Sequence, residues 1–120
     1  MVSKTNTIIP ESIKVLNECG DLQIKKSKDY QNSNSRIRQA DYYPNGVLTL
    51  LDTCHAKVLR MYSVLEAMRD DPSYEQNFES VEDSAKDLIN YGSFIVSYCR
   101  GMIDGQLPTR DIFNREKNGN

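Results

Sequence analysis

Apolar residues recur at three- and four-residue intervals along most of this chain, and no segment shows a sustained alternation of apolar and polar residues. That spacing places apolar side chains on one side of an α-helix. We therefore expect an all-α fold with three main helices in a small antiparallel bundle. The helices are predicted over about Glu11 to Lys28, over Asn45 to Asp71, and from an N-cap at Ser80 to a stop at Gly101 and Gly105.

Each predicted helix has an apolar face that is expected to pack against its neighbours. These faces are Ile13, Leu16, Gly20 and Ile24 in the first helix; Val47, Leu51, Cys54, Val58, Met61 and Leu65 in the second; and Val81, Ala85, Leu88, Ile95, Cys99 and Met102 in the third. Three helices leave much apolar surface for their length, so the sequence also predicts a dimer or a higher oligomer.

The length of 120 residues allows one ordinary domain. We predict a flexible N-terminal arm over residues 1–10, a single helical domain over 11–105, and a polar C-terminal tail over 106–120. A long polar loop, about 30–45, interrupts the domain. Loops of that length in a small domain are usually functional or disordered.

Composition and charge exclude several classes of protein. No apolar run reaches the roughly 20 residues of a membrane-spanning helix, and the start of the chain lacks an apolar signal core, so we expect a cytoplasmic protein without a membrane partner. A net charge of −2 argues against strong nucleic-acid binding. Cys19, Cys54 and Cys99 have no Cys-x-x-Cys spacing, which favours reduced thiols over a zinc site.

Acidic residues of the third helix are candidates for a metal site. Asp83, Asp87 and Asn90 fall within about 60° of one another on a helical projection. Two carboxylates one turn apart can bind Mg²⁺, which keeps coordination positions for water and phosphate oxygens. The alternative is that these residues form a solvated helix face and that Asp83 only caps the helix; spacing alone leaves both interpretations open.

Cations of the first two helices are candidates for binding an anion. Lys57 and Arg60 are about 60° apart on the second helix and can approach one anionic group. Lys28 and Tyr30, at the end of the first helix, could contact a phosphate and stack on a base. The alternatives are surface cations that cover apolar neighbours and a charged helix end that complements the helix dipole.

Three segments resemble the nucleotide modification associated domain 1 family, which is common in tailed phages. In chain order they are KSKDYQ, DTCHAKVLRM and ESVEDSAKDLINYG, and they span about residues 25–100. Gln31 replaces the usual glycine of the first motif, and the chain lacks the family's nearby tryptophan. The matching residues are Asp29 and Tyr30; then Asp52, Lys57 and Arg60; then Glu79, Asp83, Asp87, Asn90 and Tyr91.

The resemblance implies nucleotide chemistry, since the family looks related to the all-α nucleoside triphosphate pyrophosphatases, which hold Mg²⁺ on helical acids and form oligomers. It implies Mg²⁺-dependent hydrolysis of a (deoxy)nucleoside triphosphate or a modified nucleotide in phage nucleotide metabolism. The implied metal ligands are Glu79, Asp83 and Asp87, the implied catalytic residues are Asp52 and Asp87, and the implied substrate contacts are Lys28, Asp29, Tyr30, Lys57, Arg60, Asn90 and Tyr91.

Two other functions stay open at this point. The same scaffold could bind a nucleotide without hydrolysing it, and so sequester or regulate a signalling or modified nucleotide. Alternatively, the chain could be a structural helical protein whose charged stripes are solvated faces.

Overall fold

Three α-helices dominate the computed structural model, which describes residues 8–30, 35–71 and 77–110 and gives only the backbone for Asp29 and Tyr30. The helices are α1 (Glu11–Tyr30), α2 (Val47–Asp70) and α3 (Phe78–Cys99), and a short 3-10 helix (Gln39–Tyr42) precedes α2. The described ranges contain no strand. The prediction of an all-α fold with three main helices is therefore confirmed.

Helices α2 and α3 run antiparallel and pack along most of their length. Gly46, at the start of α2, lies beside Tyr98 near the end of α3. Lys57, in the middle of α2, contacts Asp87 in the middle of α3. Gly46 has a φ of +60°, and a Cβ at this position would lie 2.9 Å from the Tyr98 hydroxyl, so the close approach requires glycine.

Helix α1 contacts α3 over a shorter stretch and runs in the same direction. Glu18 pairs with Lys86, and Gln23, one turn later in α1, hydrogen-bonds to Asn90, one turn later in α3. The helices therefore alternate in direction along the chain, which is compatible with the predicted antiparallel bundle. None of the helices described is both long and apolar enough to cross a bilayer.

The N-terminus of α3 differs from the prediction. Asn77 is the N-cap, because its side-chain oxygen accepts a hydrogen bond from the Ser80 backbone N–H at 3.3 Å. The prediction of Ser80 as the N-cap was wrong by three residues. Serine and asparagine side chains can both accept a capping hydrogen bond, so the residue type alone did not distinguish Ser80 from Asn77. As a result Glu79 lies inside the first turn of α3, where its charge complements the helix dipole.

The C-terminus of α3 ends where the glycines predicted. Gly101 has a φ of +72°. Its N–H donates to the Tyr98 carbonyl at 2.9 Å, and the Met102 N–H donates to the Ser97 carbonyl at 3.0 Å. This pair of bonds is a Schellman motif, and it satisfies carbonyl groups that the end of the helix at Cys99 leaves without helical partners.

Few apolar side chains are buried in this fold. Among the described residues, only Cys19, Leu50 and Ile103 are buried apolar side chains. The predicted apolar face of α1 stays exposed, whereas that of α2 is packed in part, with Val47, Cys54 and Met61 half-buried. The exposed members are Ile13, Leu16 and Ile24 of α1 and Leu51, Val58 and Leu65 of α2.

A clasp joins the loop before α2 to the chain after α3. It consists of the Ala40 N–H, which donates to the Asp104 carbonyl at 2.9 Å, and of Arg110, which donates to both carboxylate oxygens of Asp41 at 2.9 and 2.7 Å. The packed chain thus extends five residues into the segment 106–120 that the sequence assigns to a polar tail. Residues 1–7 and 111–120 lie outside the described residues, so the predicted arm and the rest of the tail are not tested.

The clasp predicts an acid-sensitive contribution to stability. The Arg110 guanidinium holds the pKa of Asp41 below its ordinary value of 3.8. A lowered pKa in the folded chain stabilises it above the ordinary pKa, and this stabilisation is lost as the pH falls toward the lowered value. We expect R110M to lower the melting temperature at neutral pH, with a difference from wild type that shrinks as the pH falls below 3.8. K14M, which removes the exposed Glu11–Lys14 pair, is the control and should melt like wild type at each pH.

The three free thiols should differ in reactivity. Cys19 is buried, and burial raises the pKa of its thiol. Cys99 is exposed and Cys54 is half-buried. Because the thiolate is the reactive form, we expect iodoacetamide to alkylate Cys99 fastest and Cys19 slowest, as measured by peptide mass spectrometry. Equal rates at Cys19 and Cys99 in the native protein would contradict this burial pattern.

Candidate functional site

The contact between Lys57 and Asp87 joins a cation of α2 to an acid of α3. The Lys57 Nζ lies 3.0 Å from the Asp87 Oδ2, and the two side chains are 28% and 29% exposed. The structure therefore brings together one member of the predicted cation pair and one member of the predicted acid stripe. Water and salt screen a partly buried ion pair less than a surface pair. The Lys57–Asp87 pair therefore presents a dipole to a ligand that binds beside it.

An open groove of about 540 Å³ runs along α2 next to this contact. Asp52, Lys57 and Arg60 lie in its wall. No carboxylate of the described segments forms an ion pair with Arg60. The remaining lining residues have small side chains, which leave room beside the two cations; they are Thr49, Thr53 and Ala56.

The chemistry of this groove suits a phosphate group. A guanidinium donates paired hydrogen bonds to phosphate oxygens, and an ammonium supplies a compact charge. The Thr53 hydroxyl donates to the Thr49 carbonyl at 3.2 Å, so its oxygen can still accept a bond from a ligand hydroxyl or water. Asp52 is exposed at the edge of the groove, where its carboxylate can accept a proton or a hydrogen bond.

The acids of α3 occupy successive turns and differ in exposure. Glu79 and Asp83 are exposed, and Asp87 is half-buried against Lys57. In the ranges that the structure describes, no group of three or more acidic, histidine or cysteine side chains could hold a metal ion. Mg²⁺ usually binds through one or two protein carboxylates together with phosphate oxygens and water. Asp83 and Asp87 lie one turn apart on α3, and their oxygen atoms are of the type that Mg²⁺ takes as ligands.

Asn90, a predicted substrate contact, fastens α1 to α3. It is buried, and its Oδ1 accepts a hydrogen bond from the Gln23 Nε2 at 2.7 Å. Gln23 also donates to the Ser93 hydroxyl at 2.8 Å. Sequence reasoning missed Gln23, although its position one turn after Cys19 places it on the packed side of α1.

Tyr91, the other predicted contact on α3, lies against Phe94. The ring centroids are 5.7 Å apart with an interplanar angle of 88°, an edge-to-face arrangement. Tyr91 is half-buried and does not line the α2 groove. The structure thus places Asp52, Lys57 and Arg60 along the groove and Asp87 against Lys57, but directs Asn90 to α1.

Lys28 is exposed in the last turn of α1, where its charge complements the helix dipole. Asp29 and Tyr30 belong to the same turn, and their side chains lie outside the described residues. Residues 31–34, the start of the predicted loop, also lie outside them. The predicted base-stacking role of Tyr30 therefore stays a prediction.

Comparison of the chain with protein-family models, with curated proteins and with solved structures found no match. The resemblance to the nucleotide modification associated domain 1 family accordingly stays a prediction that rests on its three motifs.

Proposed function

We propose that the chain binds a (deoxy)nucleoside triphosphate or a modified nucleotide in the α2 groove and hydrolyses it with Mg²⁺. The observation that supports this proposal best is the 3.0 Å contact between Lys57 and Asp87. This contact joins the second and third motifs of the family resemblance at one place in the fold. A phosphate-binding cation then lies directly beside a carboxylate that can serve a metal ion.

In this proposal the cations of the groove bind phosphate and its carboxylate acts on water. Lys57 and Arg60 bind phosphate oxygens and neutralise the charge that develops on the leaving group. Asp52, exposed at the groove edge, orients the attacking water and accepts its proton. The partial burial of Lys57 strengthens its interaction with phosphate relative to a fully exposed cation.

Asp83 and Asp87 would hold the Mg²⁺, with Glu79 one turn earlier on α3. When bound, Mg²⁺ polarises the phosphoryl oxygen and offsets the negative charge of the phosphates. The Lys57 ammonium now pairs with Asp87; with a cation held at Asp87, Lys57 would be free to pair with a nucleotide phosphate. The chain's own contribution is to hold a carboxylate and an ammonium at one point of the α2–α3 interface.

Binding without hydrolysis is the second candidate function. It is favoured by the absence of a three-carboxylate cluster in the described part of the chain and by the pairing of Asp87 with Lys57. In that case the groove would hold a signalling or modified nucleotide for sequestration or regulation. The phosphate-binding roles of Lys57 and Arg60 are the same under both functions.

We also propose a cellular setting and an assembly. Nucleotide processing of this kind belongs in the cytoplasm, which is the host's if a phage encodes the chain. The exposed apolar side chains of α2 favour a dimer or a higher oligomer as the functional unit.

A panel of nucleotides, each with and without Mg²⁺, tests the proposal. Release of phosphate or pyrophosphate that needs Mg²⁺ would support hydrolysis. A higher melting temperature without product would select binding alone, since a ligand at 100 times its Kd adds about 2.7 kcal/mol to the free energy of unfolding. Neither product nor thermal stabilisation with any nucleotide would overturn both functions.

A further inference from the structure

One exposed face of α2 carries residues at alternating intervals of three and four. These positions follow the a and d sites of a heptad repeat over about two and a half heptads. Five of the six side chains are large and apolar, and their exposed fractions range from 37% to 66%. We call this face the seam; its residues are Leu48, Leu51, His55, Val58, Tyr62 and Leu65.

The seam and the groove occupy different sides of α2. On a helical projection their centres are roughly 160° apart, so a partner on the seam would leave the groove open. Neither α1 nor α3 covers the seam, because its side chains stay exposed beside the packed residues of the same helix. Leu50, one position before Leu51, is 0% exposed, which shows how sharply packing stops at this edge.

We propose that a second copy of this chain packs its own seam antiparallel against this one, as a two-fold symmetric dimer. The heptad spacing of the seam favours a partner helix with the same spacing. The side chains at a and d of one helix pack into spaces between side chains of the other helix, and these spaces must repeat at the same interval. A two-fold interface uses the same patch on both copies, and the seam is the α2 patch that offers this repeat. The proposal does not depend on the nucleotide function.

The antiparallel direction follows from which side chains would meet. We place the two-fold axis on the seam side of α2, at the height along the helix that lies midway between residues 56 and 57. Each a position then faces a d position of the second copy. A large side chain then faces a smaller one along most of the seam. The facing pairs are Leu48 with Leu65, Leu51 with Tyr62, and His55 with Val58.

A parallel arrangement would stack identical residues instead. It would place His55 on His55 and Tyr62 on Tyr62 of the second copy, so two polar imidazoles would meet in the middle of the interface. It would also align the two helix dipoles side by side in the same direction, which is unfavourable.

The area of the seam is that of a small dimer interface. The exposed fractions of its apolar side chains correspond to roughly 500 Å² per copy, against about 800 Å² per partner in a stable interface. Leu59, which is 53% exposed and flanks the seam, adds to this area. On a monomer this would be one of the larger exposed apolar patches.

The test is the mass of the full chain in solution, measured by light scattering and sedimentation over a range of micromolar concentrations. We expect twice the mass of one chain for wild type and a single-chain mass for L51K. The matched control is L16K in α1, because Leu16 is 50% exposed and Leu51 is 49% exposed. L16K should keep the dimer, and circular dichroism should show the same helix content in all three proteins.

A second variant tests the antiparallel direction of the two seams. It also distinguishes loss of the interface from misfolding of L51K. Y62E alone should also give single chains, whereas L51K combined with Y62E should restore the dimer, because the two introduced charges are opposite and would face each other between the copies. A monomeric wild type at every concentration would overturn the proposal. So would a dimer that L51K and Y62E leave intact, or one that L16K alone disrupts.

Discussion

D87N is expected to lower nucleotide turnover by at least about 100-fold, the size of the loss when one group that stabilises a transition state is removed. Asparagine can still accept a hydrogen bond from the Lys57 Nζ, which now lies 3.0 Å from Asp87. The variant therefore keeps the α2–α3 contact but removes the negative charge that would hold Mg²⁺. K57M should instead weaken nucleotide binding about 10- to 100-fold, since it removes a charged donor to phosphate.

The matched control for these variants is K86M. Lys86 also joins two helices, because its Nζ lies 3.2 Å from the Glu18 carboxylate, but this pair faces α1 and not the groove. Loss of the Lys86 pair should leave turnover and nucleotide affinity near the wild-type values. Product release measures turnover, and the change in melting temperature with nucleotide measures binding. Full activity in both D87N and K57M would remove these residues from the site.

L50A is expected to lower the free energy of unfolding by about 2–5 kcal/mol, the usual cost of a cavity at a fully buried leucine. Leu50 is 0% exposed and is one of only three buried apolar side chains among the described residues. Since the core is this small, the loss is a large part of the stability of a domain of this size. Urea unfolding at one fixed chain concentration measures it, because self-association would make stability depend on concentration.

L16A is the control for the stability experiment. It removes the same atoms from a helix, but Leu16 is half exposed, so we expect a loss below about 1 kcal/mol. Similar losses for L50A and L16A would mean that Leu50 is not the centre of the packing between the helices.

The sequence predicted many residues of the candidate site but not which of them contact one another. The spacing of Asp83 and Asp87 placed them on one side of a helix, and α3 confirms that both belong to it. The spacing of Lys57 and Arg60 placed them on the same side of α2, and both line the groove. That Asp87, rather than Asp83, meets Lys57 depends on how α2 and α3 cross, which neither segment encodes alone.

Other residues could not be assigned from local patterns. Asn90 reads as a polar member of the acid stripe, but it is buried because Gln23 of α1 reaches it from a segment 67 positions away. Likewise the polar segment after Gly105 carries no sign of packing, although Arg110 completes the clasp with Asp41. Both contacts need partners that are remote in sequence.

The sequence by itself determined that this protein is helical, about where each helix begins and ends, and which residues share a face of each helix. These properties follow from backbone hydrogen bonds and side-chain periodicity within a few turns. Only the tertiary structure decided which face of α2 is covered. Apolar residues surround much of that helix, so several faces could have packed, and the α2–α3 contact buried Leu50 and half-buried Lys57 while leaving Leu51 and Val58 exposed. Burial depends on the crossing of helices that are distant in the chain, and that choice is made by the sum of all contacts together.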